Sequence, residues 1–269
     1  MSDTARETKP ILFRDGAFRP GERRVPEETA IAISVNGSTH AVMMATPDHV
    51  EDLALGLALN ERIVGSVADI ERFEIEESAL GLDARLWLTP ERAATYVARR
   101  RQMTGPVGCG LCGVESLELA QRELPLVTVA KTVSPDAIVA AIEAMSRHQR
   151  LGRETRAVHA AAFHGAAGEH VVTREDVGRH NALDKVAGHL ARNGTEAAQG
   201  FLTITSRVSV ELIQKAAVMG TGLIAAVSAP TALAIRSAEG AGITLVAVAR
   251  GDEFEIFTRP ERVDGALGA

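Results

Sequence analysis

The pattern of apolar and polar positions in the first hundred residues predicts short strands joined by turns, together with two helices. Asn36-Gly37 is typical of a tight β-hairpin turn, and it separates an apolar run over residues 30–35 from a returning strand over residues 40–45. Helical periodicity extends from Val50 to about Ile63. The other elements predicted here are strands over residues 11–13, 73–76 and 84–88, a helix over residues 91–101, and a mobile tail as far as about Pro10.

In the second part of the chain, strands and helices alternate, an order that favours a largely parallel sheet covered by helices. Residues 223–227 and 243–248 are continuously apolar, as buried parallel strands are. The predicted elements are helix 135–149, strands 158–163 and 170–173, helix 178–192, strand 201–205, helix 208–219, strand 223–227, helix 230–239 and strands 243–249 and 254–257.

The overall prediction is an α/β fold in three parts. A smaller N-terminal α+β region covers residues 1–101, a flexible loop covers residues 102–113, and an α/β domain covers residues 114–269. The loop is assigned because residues 105–113 hold four glycines and a proline, a composition in which no regular element persists.

The amino-acid composition disfavours several classes of function. The chain has 269 residues, of which 46% are hydrophobic and 24% charged, so it is long and apolar enough to bury a core. A net charge of −6 and an aromatic content of 3% disfavour nucleic-acid binding. The chain has no apolar run of membrane-spanning length, and its first residues lack a signal-peptide core. We therefore expect a soluble cytoplasmic protein with no nucleic-acid or membrane partner.

Both cysteines of the chain, Cys109 and Cys112, lie in the glycine-rich loop as a C-x-x-C pair. This spacing suits a disulfide, a two-ligand metal clip or the relay of a sulfur atom as a persulfide. A thioredoxin-type motif is disfavoured because Gly105-Pro106-Val107-Gly108 precedes the pair. Zinc binding would require histidines, and His159, His164, His170 and His180 are available. An accessible nucleophilic thiolate is the interpretation that the loop favours, and incidental thiols are the plain alternative.

Three predicted strand-to-helix turns would meet at one edge of a parallel sheet. Asp176 and Ser206 are the candidate N-caps of two of these helices, and Ser228 precedes the third. Helix N-termini attract anions, and Arg179, Arg207 and Arg250 stand in or near these turns. The pattern indicates a ligand that carries phosphate, with capping and surface arginines as the alternative. The sequence contains neither G-x-G-x-x-G nor a P-loop.

Two pairs of residues have helical i, i+4 spacing. His180 and Asp184 are either a general base with its orienting carboxylate or a surface pair, and Glu211 and Lys215 are predicted to form a solvated salt bridge. A zinc deaminase is disfavoured because neither His159 nor His164 begins an H-x-E motif.

Four segments together resemble the FdhD family of formate dehydrogenase accessory sulfurtransferases. They are residues 108–113, 175–185, 206–211 and 228–234, and the specific run is Val177-Gly178-Arg179-His180-Asn181-Ala182 followed by Asp184-Lys185. The resemblance extends from about Ile31 to Val263. One departure is Ser206, which stands where glycine is frequent in the family.

The resemblance implies a fold similar to cytidine deaminase, a homodimer and a sulfur carrier. Such a carrier accepts persulfide sulfur from a cysteine desulfurase and passes it to the molybdenum or tungsten bis-guanine-dinucleotide cofactor (Mo-bis-molybdopterin guanine dinucleotide) of formate dehydrogenase. Cys109 matches the persulfide cysteine and Cys112 its helper, with no bound metal implied. GDP or GMP would mimic the cofactor. The cofactor-binding residues expected are Arg179, His180, Ser206, Arg207, Ser228, Val248, Ala249, Arg250, Gly251, Asp252 and Glu253.

Two rival functions remain at this point. One is a zinc-dependent nucleotide-processing enzyme of deaminase type that uses Cys109, Cys112 and a histidine. The other is a chaperone that binds the cofactor without sulfur chemistry.

Overall fold

The computed structural model describes residues 3–100, 124–129 and 131–267. Four short strands begin the chain: β1 (Ala5–Thr8), β2 (Ile11–Arg14), β3 (Ala17–Pro20) and β4 (Arg23–Pro26). β1 pairs with β4 and β2 with β3, both antiparallel. The predicted mobile tail is therefore wrong, because pairing with β4 satisfies the backbone of β1 and the side chain of Ala5 is buried.

A four-stranded sheet follows, made of β5 (Thr29–Val35), β6 (Ser38–Ala45), β7 (Ile70–Ser78) and β8 (Gly81–Leu88) in the order β6-β5-β8-β7. The predicted Asn36-Gly37 turn is confirmed, with φ of 48° and 77°, the left-handed values that a tight hairpin turn needs. Helices α1 (Val50–Asn60) and α2 (Pro90–Arg100) pack on one face of this sheet and bury its apolar positions.

A six-stranded sheet forms the centre of the second part. Its strands are β9 (His159–Gly165), β10 (His170–Asp176), β11 (Gly200–Ile204), β12 (Leu223–Ala226), β13 (Thr244–Arg250) and β14 (Glu253–Thr258), in the order β10-β9-β11-β12-β13-β14. Only β11-β12 and β12-β13 are parallel pairs. The α/β class is correct, but the prediction of a largely parallel sheet is wrong. β9-β10 and β13-β14 are joined by short turns, and parallel strands need a crossover of a dozen residues or more.

Helices cover both faces of the six-stranded sheet. On one face lie α5 (Arg179–Arg192), α6 (Val210–Met219) and α7 (Ala232–Ala241), which share a core with alternate residues of β11, β12 and β13. On the other face lies α3 (Pro135–His148), followed by the short helix α4 (Arg150–Thr155). None of the described helices combines the length and apolar composition needed to cross a membrane.

The two sheets are joined through direct contact of α1 with α5. An added Cβ at Gly56 would lie 1.7 Å from the carbonyl oxygen of Asp184, and one at Gly188 would lie 1.9 Å from that of Asp52. Because no side chain fits there, the two glycines allow the helix backbones to touch. This contact fixes the beginning of α5 relative to the N-terminal region.

Candidate functional site

The carboxyl-terminal ends of four strands meet at one edge of the six-stranded sheet. All four strands run in the same direction. Backbone hydrogen bonds hold the ends of β11, β12 and β13 side by side, because Val227 N donates to the Ile204 carbonyl at 3.0 Å and Val248 N donates to the Ser228 carbonyl at 3.3 Å. We call this the carboxyl edge, defined by His159, residues 176–180, residues 205–211, Ser228 and residues 248–253. All predicted cofactor-binding residues lie on it.

Arg179 and His180 occupy the first turn of α5 at the carboxyl edge. The Nε atom of Arg179 and the Nε2 atom of His180 are buried, and neither has a hydrogen-bond partner among the described residues. Burial, assisted by the charge of Arg179, lowers the pKa of His180 to about 4. Burial and the same guanidinium also lower the pKa of His159. Both imidazoles are therefore neutral at pH 7 and leave Arg179 as the local positive charge.

The carboxylate of Glu211, in the first turn of α6, lies near Arg179 and the neutral His180. Burial opposes its ionisation, but the nearby Ser209 hydroxyl and backbone N–H, together with the positive charge of Arg179, lower its pKa overall. Arg207 and Arg250 are exposed at the same edge. Apart from Asp176, which is paired with Lys185, the edge carries three arginines and three carboxylates, those of Glu211, Asp252 and Glu253. The feature that suits phosphate oxygens is therefore the placement of the arginines beside the N–H groups of three helix starts, not a net positive charge.

Strand β13 is strained at Val248, near its carboxyl end. Its φ is 55°, a left-handed value that a β-branched residue rarely adopts, and it lies in an irregularity of the strand pair between Ala247 and Arg250. Gly251 follows with φ of 59°. Ala249 is buried, whereas residues 250–253 are exposed. Strain of this kind is often kept where the backbone must approach a ligand.

Two helix-start predictions are wrong in detail. The N-cap of α5 is Gly178 rather than Asp176, whose Oδ1 instead accepts hydrogen bonds from Gly178 N and Asn181 Nδ2. The N-cap of α6 is Ser209 rather than Ser206. Backbone bonds between Val208 and the turn before α7 delay the start of α6, since Thr231 N donates to the Val208 carbonyl at 3.0 Å.

Asp184 does not serve as the orienting carboxylate of His180. Its Oδ1 accepts hydrogen bonds from Lys215 Nζ and from Asn60 Nδ2, both at 2.7 Å. The predicted pairing of His180 with Asp184 is wrong for this reason, and so is the predicted salt bridge between Glu211 and Lys215. Both errors arise because α1 and α6 approach α5 from sides that helical spacing alone does not reveal.

Thr46, in the N-terminal region, holds the turn before α5. Its N–H donates to Asp176 Oδ2 at 3.1 Å, its Oγ1 accepts from Val177 N at 3.2 Å, and its carbonyl accepts from Lys185 Nζ at 2.9 Å. Asp176 and Lys185 form an ion pair at 2.6 Å in which neither side chain is exposed. Sequence reasoning missed Thr46, which is separated from Asp176 by 130 positions and belongs to no local motif.

The four histidines proposed as zinc ligands lie in two places. His159 and His180 belong to the carboxyl edge, whereas His164 and His170 face each other at the other end of the β9-β10 hairpin. There the ring of His170 stacks on that of His148, with centroids 3.7 Å apart. Cys109 and Cys112, with the whole predicted loop over residues 102–113, lie outside the described residues.

Comparison with known proteins identifies the family of the chain. Residues 26–264 match the sequence model of the FdhD/NarQ family. Proteins named sulfur carrier protein FdhD are similar: that of Agrobacterium fabrum is 51% identical over 93% of each chain, and that of Brucella abortus is 46% identical over 96% of this chain and 97% of its own.

A solved structure, a putative formate dehydrogenase accessory protein from Desulfotalea psychrophila, superposes with a TM-score of 0.76 at 23% identity. The match covers 97% of this chain and all of the other, and it shows that the fold is shared. On the family match and the identity to its members, the chain belongs to the FdhD/NarQ family.

Proposed function

We propose that this protein is a sulfur carrier that serves formate dehydrogenase. Cys109 takes up a sulfane sulfur from a cysteine desulfurase and delivers it to the metal of the molybdenum or tungsten bis-guanine-dinucleotide cofactor, which is the substrate. Membership of the FdhD/NarQ family and the names of its relatives support the sulfur-carrier role. The accessory role is supported by the name of the structural neighbour from Desulfotalea psychrophila.

The observation that carries the proposal is the pair of unpartnered nitrogen atoms at the carboxyl edge, where Ser209 Oγ and Glu211 Oε2 are also buried without a described partner. Arg179 Nε and His180 Nε2 are buried polar atoms without described partners, at a helix N-terminus that already favours anions. A pyrophosphate oxygen would accept a hydrogen bond from Arg179 Nε. A neutral His180 would donate from Nε2 in the tautomer that carries its proton there.

The remaining edge residues would hold the rest of the dinucleotide. Arg207 and Arg250 are exposed cations on either side of Ser228, so they can reach phosphates that extend along the edge. The half-buried Ser228 supplies a hydroxyl group, and the exposed backbone of residues 250–253 is available to a base or a sugar. Ser206 is buried, and its hydroxyl donates to the Arg207 carbonyl at 3.0 Å, so it supports the turn that carries Arg207. Glu211 balances part of the positive charge of Arg179 before the ligand binds.

The sulfur chemistry is a pair of exchanges at Cys109. In the first, the Cys109 thiolate attacks the terminal sulfur of the desulfurase persulfide, and the desulfurase cysteine leaves as a thiolate. In the second, the new S–S bond breaks, Cys109 leaves as a thiolate, and the sulfur atom binds the metal as sulfide with two electrons supplied by the metal centre. Cys112 assists by keeping Cys109 deprotonated.

Mass spectrometry tests this role directly. The protein is incubated with a cysteine desulfurase and L-cysteine, and the peptide that contains both cysteines is weighed without reduction. We expect a gain of one sulfur atom in the wild type and in Cys112→Ala, and no gain in Cys109→Ala. An unmodified peptide in every sample would instead support a chaperone without sulfur chemistry. Stoichiometric zinc in the purified protein would support the deaminase-type rival.

The fold and cellular setting complete the proposal. The strand order, in which β9 runs against its neighbours β10 and β11, is proposed to be that of cytidine deaminases, and superposition on a deaminase tests this. The division at residues 101 and 113 stays a prediction. We place the protein in the cytoplasm, where its proposed donor and acceptor would meet.

A further inference from the structure

A cavity of about 590 Å³ lies where the N-terminal region meets the second part of the chain, among the residues that the structure describes. Its walls come from the end of α1 and the residues just after it, from Arg92 of α2, and from the last turns of α5 and α6. The described residues that line it do not belong to the carboxyl edge. The volume is typical of a site for a small molecule, and such sites are common where two regions of a protein meet.

The lining of this cavity is mainly apolar. Ala187 and Ala191 lie one turn apart on α5, and their short side chains leave space that larger ones would fill. Val218 and Met219, at the end of α6, supply longer apolar side chains to the same cavity. A ligand with an apolar body would therefore gain free energy by leaving water.

Asn60, the last residue of α1, adds a polar atom to this apolar lining. Its Nδ2 donates to Asp184 Oδ1 at 2.7 Å, and because this carboxylate accepts hydrogen bonds, the contact fixes which end of the amide points away from it. That end is Oδ1, which is buried and has no hydrogen-bond partner among the described residues. Buried acceptors are usually satisfied, so a donor inside the cavity would supply the missing hydrogen bond.

The charged residues in the lining select neither an anion nor a cation. Arg92 donates to two backbone carbonyls, each at 2.6 Å, and lies 3.7 Å from Asp69. Arg62 and Glu196, the other charged residues of the lining, have opposite signs. The lining therefore favours a neutral ligand.

We propose that this cavity binds a neutral, mainly apolar small molecule that donates one N–H or O–H hydrogen bond to Asn60 Oδ1. A ring system of this kind packs against the apolar side chains of α5 and α6 while its donor faces α1. Because the walls belong to both regions, the bound molecule also stabilises the junction of α1 with α5. The site is separate from the sulfur chemistry proposed for Cys109.

Indole and benzothiophene are matched probes for this site, because both are flat bicyclic rings and only indole has an N–H donor. NMR of the full-length protein with labelled methionine methyl groups reports binding, since Met219 lines the cavity and Met145 lies on α3, across the six-stranded sheet. We expect indole to shift the Met219 resonance with a dissociation constant below about 1 mM. Benzothiophene should bind at least about tenfold more weakly, and neither probe should shift Met145.

A variant that fills the cavity tests the location. Ala191→Phe should abolish the response of Met219 to indole, whereas Ala140→Phe, the same change at an exposed position of α3, should preserve it. An unchanged Met145 resonance shows that a variant is folded, and Val218→Phe replaces Ala191→Phe if that variant does not fold. The proposal is overturned if indole leaves Met219 of the wild type unshifted, as it would if water alone satisfied Asn60. Equal affinity for the two probes, or indole binding that persists in the folded cavity-filling variant, would also overturn it.

Discussion

Within one stretch of ten residues, the segment from Asp176 to Lys185, the side chains divide into two groups with opposite properties. Asp176, Asn181, Asp184 and Lys185 are buried, and each is bonded to a described partner. Arg179 and His180 lie at the carboxyl edge with polar atoms that no described residue satisfies. The bonded group joins two regions of the molecule, and the other, which we call the open group, keeps polar atoms without a described partner.

The difference shows why one motif can be both structural and functional. The first turn of a helix offers an anion N–H donors in a fixed geometry only when the helix itself is held in place. The hydrogen bonds and ion pairs of the buried residues hold α5 in place. The bonded residues should therefore control stability, and the open residues should control binding.

Lys185→Met should be the most damaging single change. It leaves the Asp176 carboxylate buried without its cation, which costs about 3–5 kcal/mol of unfolding free energy. Arg179→Met also replaces a cation by methionine, but in the open group, and it should change the free energy of unfolding by less than about 0.5 kcal/mol. Urea unfolding measures the free energy of unfolding of both variants. Equal losses would refute the division into a bonded group that controls stability and an open group that does not.

Gly188→Ala tests the helix contact that supports α5. The new Cβ would lie 1.9 Å from the Asp52 carbonyl, so the helices must separate at a cost of about 1–3 kcal/mol. Gly240 of α7 is the control, because an added Cβ there meets nothing within 4 Å. Gly240→Ala should be neutral or stabilising by up to about 1 kcal/mol. The idea fails if thermal unfolding ranks the two variants equally.

Stability should fall on acidification because His164, like His180, is buried in its neutral form. Burial lowers the pKa of His164 to about 4, from 6.5 in the unfolded chain. Between these values the unfolded state binds more protons, so unfolding free energy decreases as pH falls through that window. From pH 7 to pH 5 we expect a loss of about 1–2 kcal/mol from this residue. His164→Gln should flatten the profile, and an unchanged slope in urea titrations would contradict the assignment.

Thr46 bonds to the buried residues Asp176 and Lys185 and also holds the turn that carries Arg179 and His180. Substitutions at Thr46 should therefore have the smallest and most selective effect on stability and binding. Thr46→Val removes the acceptor of the Val177 N–H and should cost about 1 kcal/mol of stability, with a several-fold weaker affinity for GDP. Thr46→Ser keeps that acceptor and should preserve the affinity. If serine and valine behave alike, the hydroxyl does not position the turn.

Local signals in the sequence were enough to predict several elements, but not how they meet. Asn36-Gly37 and the apolar runs at β12 and β13 depend on neighbouring residues, and these elements formed where predicted. The antiparallel pairing of β9 with β11 and the partner of Asp184 depend on elements distant in sequence. Thr46 could not be found from the sequence because its three hydrogen bonds reach residues 130 or more positions away.

Calorimetric titration with GDP tests the carboxyl edge as the cofactor site. The wild type should bind GDP, Arg179→Ala should bind it at least about tenfold more weakly, and both should have the same unfolding free energy within about 0.5 kcal/mol. Arg147→Ala, which removes an exposed arginine beside the distant His148, should bind GDP as the wild type does. Equal GDP affinity in all three proteins, or no binding by the wild type, would contradict the account.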